Sequence, residues 1–364
     1  MDKVHTQFPF FASFLNFNNS LAYHPPSYTA AVTPNGDCRD RNQTRGNNTG
    51  PVKTPFLHPQ PGCESIPQQE LTSDQEKKYS ELLATVSAWT EVPTKSTKNA
   101  PTAPLTDDER MFLTRECLLR YLRAVKWSSP AAAAKRLLDT LIWRREYGLY
   151  EFTADYISPE NETGKQLILG YDVNGRPCHI MNPGKQNTSR SDRQIHHLVW
   201  MLERAVDMMP PGQEMLALLI NFKEMSNGQG ATVGQGRETL RILQNHYPER
   251  LGRALISDLP WYISIFFRAI QPFLDPVTKE KMKFSEPLVN YVPKEQLLTN
   301  FGGEVEFEYD HGVYWPALNG TCEQRRKEMR ERWEKAGKKI GESEVYLRGG
   351  DVPPVGETSV EKSD

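Results

Sequence analysis

Three stretches decide the fold: Gln166-Leu-Ile-Leu-Gly-Tyr171 running through Asp172-Val-Asn-Gly-Arg176 into Pro177-Cys-His-Ile-Met181, then 215–222 (MLALLINF) and 253–257 (RALIS). In the first, two short apolar runs are joined by Asn-Gly, which supplies the positive φ of a tight turn, so the pair reads as an antiparallel hairpin. The later runs are separated by segments of helical character at about 191–208 and 233–246. Strands that alternate with helices predict a mostly parallel sheet covered by helices, and hence an α/β fold.

Working outward, Thr106-Asp-Asp-Glu109 has the form of a capping box, with a hydroxyl and a carboxylate placed to satisfy free amides at a helix start, and a helix is expected over about 107–125. Ser128-Ser129-Pro130 starts another, which ends at Gly148. With a helical segment near 74–90 and a Thr-, Lys- and Pro-rich connector over 94–104, residues 75–150 form a small helical unit. Residues 18–74 are rich in Asn, Pro, Gly, Thr and Gln, and 1–74 is expected to be a disordered extension. The sheet domain is expected over 151–320, followed by a charged helix and polar tail over 321–364.

Lys and Arg number 44 against 46 Asp and Glu, a net charge of -2, so no global basic field points to nucleic acid. Five scattered cysteines without CxxC or metal-type His spacing predict a reduced setting and no metal site. No apolar run approaches the roughly 18 to 20 residues that span a bilayer. The aromatic stretch Phe8–Phe17 lacks a strong basic flank and a small-residue cleavage site, and is not expected to act as a secretion signal.

The most informative local feature is Leu259–Asp275, LPWYISIFFRAIQPFLD. On a helix, Ser264, Arg268 and Gln271 form one narrow polar ridge, and everything beside it is apolar. Three readings stay open: a core helix, a lid over an apolar cavity, or a surface that touches membrane. Directly after it, Pro276-Val-Thr-Lys-Glu-Lys281 places a hydroxyl and two ammonium groups in one run, suited either to a solvated face or to a phosphate.

Asn245-His-Tyr-Pro-Glu-Arg250, Arg253-Ala-Leu-Ile-Ser257, Pro272-Phe-Leu-Asp-Pro-Val-Thr278 and Asn300-Phe-Gly-Gly303 occur in the order and spacing of the CRAL-TRIO lipid-transfer family. Leu119-Arg-Tyr-Leu-Arg-Ala124 and Trp143-Arg-Arg-Glu-Tyr147 resemble its amino-terminal helical region, and the whole resembles the fungal phosphatidylinositol transfer proteins. The resemblance implies a gating helix, a large apolar pocket and a bound lipid in place of a cofactor. It assigns Glu249, Thr278 and Lys281 to the lipid headgroup. Trp261, Tyr262, Ile263, Phe266, Phe267, Ile270 and Phe273 would belong to the gate and its membrane contact, Leu216, Leu218, Ile220 and Phe222 to the pocket, and Gly302 and Gly303 to a hinge. For Glu249 a structural ion pair with a neighbouring arginine is the competing reading, and for the two glycines an ordinary helix-ending turn.

Two departures bear on specificity. Val125 stands where inositol-lipid binders of this kind often carry a second arginine. Leu216, Ala217 and Leu218 replace the small hydroxyl residues of phosphatidylcholine-exchanging members. A choline headgroup would lose its polar partners there, so the pattern resembles the subgroup that binds sterol beside phosphatidylinositol and is associated with azole tolerance. The implied activity is transfer of phosphatidylinositol between membranes in exchange for a second lipid such as sterol, without catalysis, in a cytoplasmic protein that visits endomembranes, lipid droplets or the cell periphery. Lipid kinases or membrane-associated proteins are its implied protein partners.

An α/β enzyme finds little support: there is no G-x-S-x-G elbow or phosphate loop, and Gly228-Gln-Gly230 and Gly234-Gln-Gly236 lack a dinucleotide fingerprint's third glycine. The alternative function is a lipid-responsive adaptor, with partner contacts in the ends of the chain, particularly Glu323–Lys339.

Overall fold

The computed structural model describes residues 50–223, 225, 233–261 and 280–356. The amino-terminal unit packs α1 (Ser73–Ser87), α2 (Asp107–Phe112), α3 (Arg115–Ala124) and α4 (Pro130–Glu146) around a core of Leu82, Val86, Leu118, Leu122, Leu137 and Leu141. Capping boxes start α1, from Thr72 with Gln75, and α2, from Thr106 with Glu109. The single helix expected over 107–125 is two: Leu113 leaves helical geometry, and the Thr114 hydroxyl caps a new start by accepting from the Cys117 amide at 3.1 Å. Around the expected connector, β1 (Glu91–Pro93) just before it and β2 (Thr102–Pro104) at its end pair as an antiparallel ribbon.

The second unit holds α5 (Ala154–Asn161), β3 (Gln166–Tyr171), β4 (Pro177–Met181), α6 (Arg193–Asp207), β5 (Leu216–Asn221), α7 (Val233–His246), β6 (Leu251–Ser257), β7 (Met282–Phe284), α8 (His311–Lys335) and α9 (Glu344–Leu347). The sheet runs β3-β4-β5-β6-β7, antiparallel at β3/β4 and parallel from there on. At the predicted hairpin Asp172 Oδ1 accepts from the Asn174 and Arg176 amides, at 2.8 and 3.0 Å, and Gly175 takes φ +67°. Short parallel crossovers between sheet neighbours are right-handed, which sets α6 and α7 on one face. Register puts Leu218 between His179 and Ala254, and His179 reaches α6 through Gln166 and His197. Leu216, Leu218 and Ile220 therefore face the helical layer.

Two segments differ from expectation. Residues 50–72 are not outside the folded body: Val52 bridges Phe307, Phe56 packs on the main core, and the carbonyls of Leu57 and His58 accept from Tyr171 and Gln296 at 3.2 and 2.8 Å. These are mostly backbone contacts, which any composition can make. The carboxy-terminal helix begins at His311, about a turn before Pro316 and ahead of the expected 321, because Tyr314 and Trp315 belong to the core. Trp333, near the end of this helix, is fully buried, and after the helix Glu342 and Glu344 are buried against the amino-terminal unit.

Candidate functional site

The Asn245–Arg250 stretch is held at both ends by buried partners. His246 stacks on Trp143 with centroids 4.2 Å apart and meets the Thr140 hydroxyl at 3.1 Å. Burial pushes its imidazole down to about 3, so the ring is neutral. The Tyr247 hydroxyl donates to Glu203 of α6 at 2.6 Å. Burial alone would raise the Glu203 carboxyl, but Arg144 and Arg326 outweigh it and hold it at about 2. Arg250, buried, donates to the Glu214 carbonyl at 2.9 Å. Between these anchors Glu249 adopts φ +61°, a left-handed conformation that costs a non-glycine residue on the order of 1 kcal/mol.

The Glu249 side chain is 19 % exposed, and Arg123 Nε lies 3.9 Å from Oε2. That separation is too long for a hydrogen bond, so the ion-pair reading is met only loosely and the carboxylate keeps acceptor capacity. Lys281 precedes the edge strand β7, and its Nζ donates to the Leu251 carbonyl at 3.0 Å, two residues beyond Glu249. Glu249 thus stands just before the start of β6, and Lys281 is bonded to the strand's first residue. Thr278 and gate residues Tyr262, Ile263, Phe266, Phe267, Ile270 and Phe273 lie outside the described residues. Trp261, the first gate residue, is 75 % exposed.

Leu216, Leu218, Ile220 and Phe222 are all buried within the sheet layer. Gly302, at φ +87°, ends the short turn Thr299–Phe301, its amide donating to Thr299. At Gly303 a Cβ would stand 1.9 Å from the Leu297 carbonyl oxygen. Close backbone packing accounts for that second glycine.

A feature not seen in the sequence is a cleft of about 1140 Å³ where the two units meet. Its walls are the β1–β2 loop with Lys95, α4 with Arg136 and Trp143, and the end of α7 with Asn245, His246 and Glu249. Arg136 and Arg123 bring cations to Glu249, a role that helix position alone does not disclose.

Comparison with known proteins matches the CRAL/TRIO domain to residues 161–303 and the CRAL/TRIO N-terminal domain to residues 78–139, the two units just described. The chain belongs to the CRAL/TRIO family. This CRAL/TRIO chain is 41% identical over 258 residues to "Phosphatidylinositol transfer protein PDR17" of Saccharomyces cerevisiae, covering 68% of the chain and 73% of that protein. It is 52% identical over 303 residues to "CRAL-TRIO domain-containing protein C23B6.04c" of Schizosaccharomyces pombe, covering 83% of the chain but only 30% of that longer relative. It is 30% identical over 220 residues to "SEC14 cytosolic factor" of Candida glabrata, covering 52% of the chain and 71% of that protein. Among the described residues no helix is long and apolar enough to cross a membrane.

Proposed function

We propose that this CRAL/TRIO protein encloses one phosphatidylinositol molecule and carries it between membranes, exchanging it for a second hydrophobic lipid such as sterol. The observation that carries this reading is the similarity to a phosphatidylinositol transfer protein over 73% of its length. Glu249 and Lys281 at the start of β6 support it, since an ammonium suits the phosphodiester and a carboxylate suits inositol hydroxyls. Thr278 and the segment 259–277 enter on their sequence alone.

Exposing lipid tails to water costs about 0.8 kcal/mol per methylene, so ~30 methylenes amount to roughly 24 kcal/mol. A dry cavity offers the tails surroundings like those of a bilayer. The protein lowers the barrier to exchange without making or breaking a covalent bond. The apolar run Leu216-Ala217-Leu218 favours sterol over a choline headgroup as second cargo.

Mass spectrometry of lipid that co-purifies with the protein, beside the Glu249→Ala/Lys281→Ala double variant, tests the reading. Phosphatidylinositol is expected in the wild type and depleted in the variant. Wild-type protein that exchanges phosphatidylcholine efficiently, and neither inositol lipid nor sterol, defeats it.

A further inference from the structure

Arg136 is one of a few half-buried or buried arginines that bond no carboxylate, Arg325 being another, with its guanidinium on the Asp207, Met208 and Leu57 carbonyls. Arg120, Arg144 and Arg204 each meet a carboxylate, at 2.6, 3.0 and 2.9 Å, and Arg145 sits against Glu109. Arg250 and Arg348 share the field of Glu344. Arg136 has no carboxylate within ion-pair distance among the described residues. Its Nη1 donates to the Ala124 carbonyl at 3.3 Å and its Nη2 to the Gln244 carbonyl. Both acceptors are neutral, so no anion within bonding distance offsets the positive charge where desolvation is costly. Glu249 acts on it only through space, and burial holds its guanidinium below the usual range.

The surroundings have the character of an incomplete polar site. Arg136 lines the cleft together with Trp143 and His246, which are 7% and 8% exposed. Trp143 Nε1 and His246 Nε2 have no hydrogen-bond partner among the described residues. Buried polar atoms are nearly always partnered, and a cleft wall that holds these two side chains beside a guanidinium bonded only to carbonyls suits a ligand that bears oxygens and negative charge. Arg136 and Lys281 are bonded to Gln244 and Leu251, at either end of the segment that carries Glu249.

We propose that Arg136 is a binding residue for the phosphate of an inositol headgroup seated in this cleft, with Glu249 accepting from the ring hydroxyls. This rests on the inositol-lipid reading above and adds to it a residue and a place. The same chemistry is offered by a lipid headgroup and by a free inositol phosphate.

The test compares wild type with Arg136→Met and Arg136→Lys. One arm measures phosphatidylinositol loading from vesicles, and the other titrates free myo-inositol 1-phosphate calorimetrically. Arg136→Met is expected to lower loading about tenfold, the effect of losing a charge-assisted hydrogen bond, and Arg136→Lys to recover part of it. Loss in the lipid arm identifies the lipid as source, and loss in the titration arm alone identifies the soluble phosphate. Wild-type loading with no loss for Arg136→Met in either arm overturns the proposal and leaves the transfer reading standing. Wild type that takes up no inositol compound overturns both. A fall in denaturation midpoint that accounts for the loss in both variants makes Arg136 a structural strut and likewise ends the proposal.

Discussion

Arg120 of α3 donates through Nη2 to Oε1 of Glu344 in α9 at 2.7 Å, joining positions 224 residues apart in a buried ion cluster. Glu214, just before β5, completes the arrangement by accepting from Nη1 at 2.6 Å. Burial alone would raise the Glu344 carboxyl, but Arg120, Arg250 and Arg348 together hold it well below the usual range. Removing one member leaves buried charge uncompensated, so Glu344→Ala is expected to cost about 3 to 5 kcal/mol. Urea denaturation measures it, and a loss under about 1 kcal/mol, the level of an exposed pair, contradicts the assignment.

Glu116 lies against the same clasp, accepting from the Glu344 amide at 2.6 Å. Burial, and then the charge of Glu344, pushes its carboxyl up to about 7. Between the unfolded value near 4.3 and that folded value, the native state keeps a proton that the unfolded chain has released. Stability conferred at Glu116 is therefore complete below the window, declines as pH rises through it, and is flat above. Glu116→Gln removes this decline and is expected to gain about 2 kcal/mol on wild type between pH 5 and pH 8. Denaturation at the two pH values reads it, and parallel curves for the two proteins refute it.

Trp261 presents its indole to solvent where Leu259–Asp275 begins, and indoles favour the membrane interface. Trp261→Ala is expected to weaken vesicle binding about tenfold, or about 1.4 kcal/mol, with an unchanged denaturation midpoint. Co-sedimentation with phosphatidylinositol-containing vesicles decides it; equal binding removes Trp261 from the membrane contact.

The paired glycines separate a hinge from a packed turn. Gly303→Ala drives a Cβ into the Leu297 carbonyl and is expected to cost about 2 kcal/mol or more, whereas Gly302→Ala pays only the left-handed strain of about 1 kcal/mol. Stability unchanged in both, with slowed lipid exchange, favours the hinge.

Much of the fold is legible because its signals are local. Asn174-Gly175 prescribes its turn, Thr106 with Glu109 writes a helix start, and the runs over 216–221 and 251–257 are apolar enough to be central strands. The segment 50–58 is illegible because its attachments are largely carbonyls and amides, which composition does not advertise. Glu344 looks like one acid among many in a charged stretch, since its arginine lies 224 positions away. At the proposed headgroup site, Glu249 and Lys281 are assigned through motif resemblance. The proposed role of Arg136 is illegible because a cation on a helix reads as solvated until the helix that ends at Ala124 and the last turn of α7 at Gln244 are seen to enclose it.

The clasp also sets a timetable. A ribosome adds roughly 5 to 20 residues per second, so the 224 positions between Arg120 and Glu344 take on the order of 10 to 45 seconds to make. Glu214 reaches Arg120 after 94 positions, but for the whole of that interval the arginine lacks its second acid, Glu344. Docking of α9 is then a late event of biogenesis, and the interval before it is when the newborn chain is most exposed to chaperones and proteases.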